Sequence, residues 1–300
     1  MLKVLKFGGT SVGTLDRIQN VANIIKKIRD EGHDVIAVVS AMSGETNKLI
    51  EYAEYYSKTP KLDEIDMLLS SGERVTSALL SIALNEMGLK AMSMSGRQAG
   101  IITDDAHTKA RIESIDTREM KNAIKNGNII IVAGFQGVVQ DTLRVSTLGR
   151  GGSDLTAVAI AGAIEADVCE IYTDVDGVYT ADPRIVANPQ KLEKISFDEM
   201  LELAGTGAKV LHSRSVELGY KYNVPIHLRS SFDESEGTIV CNKDLIEEEK
   251  LITGISHKLG ESLIIFEGIS NTPKIASTVF NKISENGIFV EIITQGAGKG

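Results

Sequence analysis

Lys6 is the first residue in the chain placed to do chemistry. It stands in "KFGGTS", residues 6–11, directly behind the apolar pair Val4-Leu5. Glycine has no Cβ, so Gly8-Gly9 lets backbone N–H groups approach a ligand closely and adopt φ > 0 without a clash. A helix after such a turn adds unpaired N–H donors and a partial positive charge, which favour an anion. The segment suits a phosphate cradle with a lysine beside it, or a plain strand-to-helix turn, and alone it leaves both open. Farther on, "SSGE" at 70–73 puts Glu73 at the opening of a helix. "TLGRGGSD" at 147–154 sets Arg150 among glycines and brings Asp154 to the start of another. Taken singly, Glu73 reads as a favourable first-turn acid and Asp154 as an N-cap or first-turn acid. Arg150 has little packing role in so flexible a loop, and its planar fork matches a carboxylate bidentately. It calls for an anion.

Other signatures fail on spacing. "GRGGSD" has Asp154 where a dinucleotide fingerprint needs its third glycine, and "QGAGKG" lacks the first glycine and the Ser/Thr of a P-loop. "DVDGVYTAD" at 174–182 places its glycine too early for an EF-hand. The histidines show no metal spacing, so neither zinc nor a Ser-His-Asp hydrolase has support. The 300 residues, 42% hydrophobic and 24% charged, suffice for one large domain and a smaller one. A net charge of -9 and a pI near 5.2 argue against a general binder of nucleic acid or anionic membrane, so phosphate binding must be local. Cys169 and Cys241 fit no metal or redox pattern. With no signal peptide ahead of "MLKVLKFGG", they point to a reducing cytoplasm without a disulfide. The apolar runs are far shorter than the roughly 18 residues that span a bilayer, so no membrane segment is expected.

The elements that must position these residues follow from periodicity. A strand over 3–6 leads to a helix over 15–32, where Ile18, Val21, Ile25 and Ile28 recur at three- and four-residue spacing. A strand over 35–39, a helix from Lys48, a helix over 73–88 and a strand over 90–94 come next. They are followed by a helix over 117–126, a strand over 129–133, a helix over 155–165 and a strand over 168–173. This rhythm predicts a parallel sheet with helices on both faces, and ligands in such sheets bind where strand C-termini meet helix N-termini. The acidic tract "KDLIEEEK" at 243–250 marks a boundary between a domain over 1–242 and a second unit over 251–300. That unit reads as strand 263–266, helix 273–285 and strand 288–293, one βαβ half of a small sensor domain. No solenoid repeat or low-complexity segment interrupts the chain.

"KFGGTSV", "SAMSGETN", "SSGER", "GFQG", "LGRGGSDLTA", "YTDVDGVYTADPR" and "GAKVLHSRSVE", in this order, resemble the aspartokinases of the amino-acid kinase family. The likeness covers almost the whole chain, and related kinases for glutamate, acetylglutamate or UMP do not share the full set. It implies a three-layer α/β/α sandwich with a mainly parallel sheet, followed by a pair of regulatory ACT units, each βαββαβ, of which 251–300 matches the first half of one. Feedback inhibition is therefore expected to be weak in this chain. The implied reaction is ATP + L-aspartate giving ADP + 4-phospho-L-aspartate, the first step toward lysine, threonine and methionine. The resemblance further implies magnesium on the ATP phosphates, a cytoplasmic homo-oligomer, and lysine or threonine as an effector of the full-length form. An acceptor carboxylate with a pKa of about 3.9 is already ionised at neutral pH, which suits a site with no convincing general base. Catalysis then rests on positioning and charge neutralisation.

Carried residue by residue, the resemblance makes Lys6 and Asp154 catalytic. Lys6 neutralises the transferring phosphoryl group, while Asp154 orients Lys6 and helps organise the metal-nucleotide assembly. Phe7, Gly8 and Gly9 would meet phosphate through their backbone. Arg150 and Ser153 would hold the α-carboxylate of aspartate and Glu73 its α-ammonium, with Thr46, Gly151 and Gly152 lining the same pocket. Thr173, Asp174, Tyr179, Asp182, Arg184 and Lys209 would complete the nucleotide site, and no residue is assigned as a metal ligand. The family's usual His-Pro-Arg is His212-Ser213-Arg214 here.

Overall fold

The computed structural model describes residues 1–207, 210–246 and 252–257, and beyond them residues 260, 262, 264–266, 272–286, 290 and 293. The chain divides into two compact units, Met1–His257 and Lys258–Gly300. The first unit opens with β1 (Leu2–Phe7), α1 (Leu15–Asp30), β2 (Asp34–Val39), α2 (Glu45–Tyr56), α3 (Leu62–Leu69), α4 (Ser71–Glu86), β3 (Ala91–Met94), β4 (Ile101–Thr103) and β5 (Ile112–Ile115). It continues with α5 (Arg118–Lys125), β6 (Ile129–Ala133), β7 (Gln136–Val139), β8 (Val145–Thr147), α6 (Gly152–Ile164) and β9 (Val168–Thr173). Then come β10 (Val178–Tyr179), β11 (Lys191–Leu192), β12 (Lys194–Ser196), α7 (Phe197–Gly205), α8 (Ser213–Tyr222), β13 (Ile226–Ser230) and β14 (Thr238–Cys241).

Eight strands form the central sheet in the order β12-β14-β13-β9-β1-β2-β6-β3. Every pairing is parallel except β13 with β14. Strands buried on both faces read as unbroken apolar runs, as Val35–Val39 and Ile129–Ala133 do here. Successive side chains point to opposite faces. Leu5, Phe7, Ala37 and Val39 therefore join Ile25 of α1 and Leu80 of α4 in one core layer. Val4, Ile36, Val38 and Val132 join Val158 and Ile160 of α6 and Val216 of α8 in the other. The result is the expected α/β/α sandwich. α1 begins where the Thr14 hydroxyl accepts the Arg17 N–H at 3.2 Å, an N-cap that replaces one missing helical bond.

A second sheet, β5-β4-β7-β8, was not legible as a separate layer, because its strands are only three or four residues long. It sits between α3 and the loop that carries Arg150. Residues 252–257 belong to the first unit: the Ile255 N–H donates to the Thr180 carbonyl at 2.8 Å, and the Thr253 hydroxyl donates to Glu199. In the second unit α9 (Pro273–Glu285) matches the expected helix and starts with proline in its first turn, where no N–H is needed. Of the strands expected beside it at 263–266 and 288–293, the described residues Ile264–Phe266, Val290 and Ile293 are in no strand, and Leu263 and residues 288, 289, 291 and 292 lie outside the described residues. Among the described residues no helix is long and apolar enough to cross a membrane, and Cys169 and Cys241 are buried and free.

Candidate active site

β1, β2 and β6 all end at the same edge of the sheet, and each runs into a loop there. Gly8–Val12 follows β1, Ser40–Gly44 follows β2, and Gly134-Phe135 follows β6. Together with the start of α6 these loops enclose a cleft of about 280 Å³, close to the lower end of the roughly 300–1,000 Å³ usual for small-molecule sites. The place is the one expected for an open parallel sheet.

Lys6 is the penultimate residue of β1 and is held at 9% exposure by its neighbours. Its Nζ lies 2.6 Å from Asp154 Oδ1, so the third residue of α6 fixes where the ammonium sits. The Gly8 N–H already donates to the Tyr172 carbonyl at 3.2 Å, and the Gly8 carbonyl accepts from Ser11 and Val12. Gly9 lines the cleft, and a Cβ on it would lie 3.1 Å from the Ala41 carbonyl oxygen, so the two loops meet backbone to backbone. At the start of α6, Gly151 has φ 72°, and a Cβ there would reach 2.7 Å from the His212 ring. Only glycine lets this turn close. The Gly152 N–H donates to the Gly149 carbonyl at 3.0 Å, which leaves the Ser153 and Asp154 N–H groups as the free donors of the first turn of α6 among the described residues.

Glu73 sits in the first turn of α4 at 4% exposure. One oxygen accepts the Ala41 N–H at 3.0 Å, and the other has no hydrogen-bond partner among the described residues. Burial pushes its carboxyl group up from the ordinary 4.5 to about 7, against the opposing pull of the Ala41 N–H. Arg150 is exposed, and among the described residues its guanidinium has no partner. Thr46, Gly151, Gly152, Ser153 and Asp154 line the same cleft, with Ser153 buried at its wall. The cleft thus offers two cations, Lys6 and Arg150, and two acids, Glu73 and Asp154.

The residues expected at the nucleotide are placed differently. Thr173 ends β9 next to β1, with its hydroxyl donating to Asp174 at 3.0 Å. The Tyr179 hydroxyl donates to Asp176, and Asp182 pairs with the exposed Arg184 at 2.7 Å. None of these five lines the Lys6 cleft. Asp182 also accepts the Arg184 N–H at 2.9 Å, which gives that pair a turn-forming role in this structure. Lys209 lies outside the described residues.

Sequence reasoning assigned no role to Phe135, which lines the cleft at φ 68°. Its N–H donates to Thr156 Oγ1 at 3.1 Å and its carbonyl accepts the Leu148 N–H at 2.9 Å, so neighbours on both sides hold it in the left-handed region. The flanking glycines of "GFQG" were the available signal. Ser40, Ala41 and Met42 also line the cleft, through the loop of the "SAMSGETN" motif, from which only Thr46 was assigned a role.

Residues 1–230 match the amino acid kinase family profile. The aspartate kinase of Stutzerimonas stutzeri is 50% identical over 295 residues, which cover 98% of this chain and 71% of that protein. Among solved structures, the aspartate kinase of Synechocystis is 47% identical with a TM-score of 0.72, over 81% of this chain and 40% of that one. E. coli aspartokinase III in complex with aspartate and ADP gives a TM-score of 0.81 at 26% identity, over 99% of this chain and 77% of that one. The same E. coli enzyme in complex with lysine and aspartate gives 0.79 at 27% identity, over 98% of this chain and 77% of that one. The chain belongs to the amino acid kinase family and, within it, to the aspartokinases.

Proposed function

We propose that the chain is an aspartate kinase, transferring the γ-phosphoryl group of ATP to the side-chain carboxylate of L-aspartate to give ADP and 4-phospho-L-aspartate. The observation that carries this reading is the opposed pair in the Lys6 cleft. Arg150 offers a guanidinium with no partner among the described residues, and Glu73 offers a buried oxygen with none. A free α-amino acid presents one anion and one cation on the same carbon, and these two groups take one each. Ser153 and the N–H groups at the start of α6 join Arg150 at the α-carboxylate, and Thr46 closes the pocket. The side-chain carboxylate is then left as the acceptor.

The acceptor attacks the γ-phosphorus as an ionised carboxylate, forming the new O–P bond while the bond to the ADP oxygen breaks. No proton need be removed, so no general base is required. Lys6 offsets charge on the transferring group, and its 2.6 Å contact with Asp154 sets its position before substrate arrives. Magnesium, when bound, supplies further charge neutralisation on the ATP phosphates. Asp154, beside Lys6 in the cleft, is the acid that would help hold it. Thr173, Asp174, Tyr179, Asp182, Arg184 and Lys209 remain the proposed nucleotide side, supported by the adjacency of β9 to β1. The lysine complex of the E. coli relative supports lysine as an effector, while threonine as the alternative effector and a homo-oligomeric assembly remain proposals from the resemblance.

An ADP-release assay with aspartate, glutamate and UMP as acceptors tests the reading. Release with aspartate alone is the expected result. Equal release with glutamate, or release only with UMP, would replace it with another acceptor class.

A further inference from the structure

Asp66 takes no part in lining the cleft, yet its side chain is fully buried on α3. Its Oδ2 accepts Nδ1–H of His107 at 2.7 Å, and both oxygens accept the Thr108 N–H at 3.1 Å. The Thr147 hydroxyl donates to Oδ1. A carboxylate can only accept, so all three partners must donate to it. Thr147 ends β8 and precedes Arg150 by three residues. Thr108 has φ 67°, unusual for a β-branched residue, and its carbonyl oxygen would lie 3.1 Å from a Cβ on Gly149. The Ala110 N–H donates to the Thr147 carbonyl at 2.9 Å. One carboxyl group therefore ties the 104–110 loop to the loop that carries Arg150.

The same helix governs the other end of the cleft. α3 passes through Ser70 directly into α4, whose third residue is Glu73, and the Ser70 carbonyl accepts Gln136 Nε2 at 3.0 Å. Arg144, just before β8, pairs with Asp63 at 2.8 Å and Glu64 at 2.6 Å, so α3 is clasped near its start as well as at Asp66 to the segment leading to Arg150.

We infer that Asp66 is a positioning residue that fixes where Arg150 stands against Glu73, and thereby sets the affinity of the cleft for its amino-acid substrate. The inference rests on the assignment of this cleft to aspartate. A charged group that accepts several hydrogen bonds in a dry interior is rigid as well as satisfied. The two groups that take the substrate's α-ammonium and α-carboxylate belong to segments joined at this carboxyl, with the Arg144 pairs to Asp63 and Glu64 beside it. If that joint loosens, Arg150 is no longer held where both α-groups are met at once.

The test compares Thr147→Val, an isosteric loss of one donor, with Asp66→Asn, which keeps the side-chain shape, and with Thr147→Ser, which keeps the hydroxyl. Phosphorylation of aspartate by the unaltered protein is measured first and tests the functional reading alone. Thr147→Val and Asp66→Asn are expected to raise the KM for aspartate about tenfold or more, the scale of one hydrogen bond to a charged group. The KM for ATP should not move, and kcat should change less than the aspartate KM. Thr147→Ser should match the unaltered protein. Should Asp66→Asn fail to fold, Thr147→Val decides. An unchanged aspartate KM, or equal rises in the KM for aspartate and for ATP alongside a lowered Tm, would overturn the inference and leave Asp66 as a stabilising group only.

Discussion

Lys6 and Glu73 are both buried charges, but their surroundings give them opposite behaviour. Lys6 has its counter-ion at 2.6 Å in Asp154, so its ammonium is in place before any phosphate arrives. Replacing it with alanine should lower kcat by about 10²–10³, the scale of one preorganised electrostatic donor, while leaving the fold intact by circular dichroism. A folded Lys6→Ala protein with near-normal kcat would refute its role. Glu73 has no counter-ion, and its carboxyl group is pushed up to about 7 by burial. A folded-state value above the ordinary 4.5 means that Glu73 favours the folded state below that pH, and this contribution is lost as pH rises through about 7. A substrate ammonium reverses the balance by stabilising the carboxylate. Aspartate binding at about pH 6.5 should therefore release a fraction of a proton, and affinity should fall as pH drops below the raised value. Titration calorimetry in two buffers of different ionisation heat measures that release. Glu73→Gln should abolish it, and an unaltered protein that releases none would show that the ammonium is not held at Glu73.

At the scale of elements, regular pieces were legible and joints were not. α1 and the apolar strands β2 and β6 follow from periodicity because each presents whole faces to a core. The loops at the cleft were legible for a different reason, since glycines beside an unpaired arginine or lysine suggest close approach to an anion. Asp66 gave no such sign. It shares α3 with Asp63 and Glu64, which contact Arg144 at the surface, and only the packing of β8 and the 104–110 loop makes one acid of three a buried acceptor. Phe135 was hidden likewise, because its backbone is forced by Thr156 and Leu148, distant in sequence. The departure at Ser213 can be read in full from the element it opens. Ser213 is the first residue of α8, behind His212 at φ -79° and ψ 133°, an extended conformation that a following proline accepts. Proline belongs at this first helical position, where its missing N–H loses nothing. Ser213→Pro should raise stability by about 0.4–1 kcal/mol through the unfolded chain, and Tm by roughly 1–4 °C in a protein of this size. A lower Tm in a thermal melt would show that the serine has a role at His212 and Gly151 that its position does not reveal.

For the whole molecule, what matters is where the core lies relative to the site. Both large core clusters draw their buried members from Val4 to Val240, inside the first unit, and so does every residue that lines the Lys6 cleft. Hydrophobic stabilisation follows the apolar area removed from water, and the first unit holds both of these clusters within itself. The acidic balance points the same way. With a net charge of -9, attraction for anionic substrates must be local, and the cations that line the cleft are Lys6 and Arg150. The cleft carries its own local field. A chain ended after His257 should therefore fold, keep its main melting transition, and release ADP with aspartate at a kcat and KM within about twofold of the full chain, the scatter expected for distant, independent parts. The end must fall there rather than at 242, because Thr253 and Ile255 bond to Glu199 and Thr180 in the first unit. The measurement is a pair of thermal melts and initial-rate curves on the two lengths. An insoluble shortened chain, or a soluble one whose aspartate KM rises tenfold, would show that residues beyond 257 support the cleft, and the independence of the first unit would have to be given up.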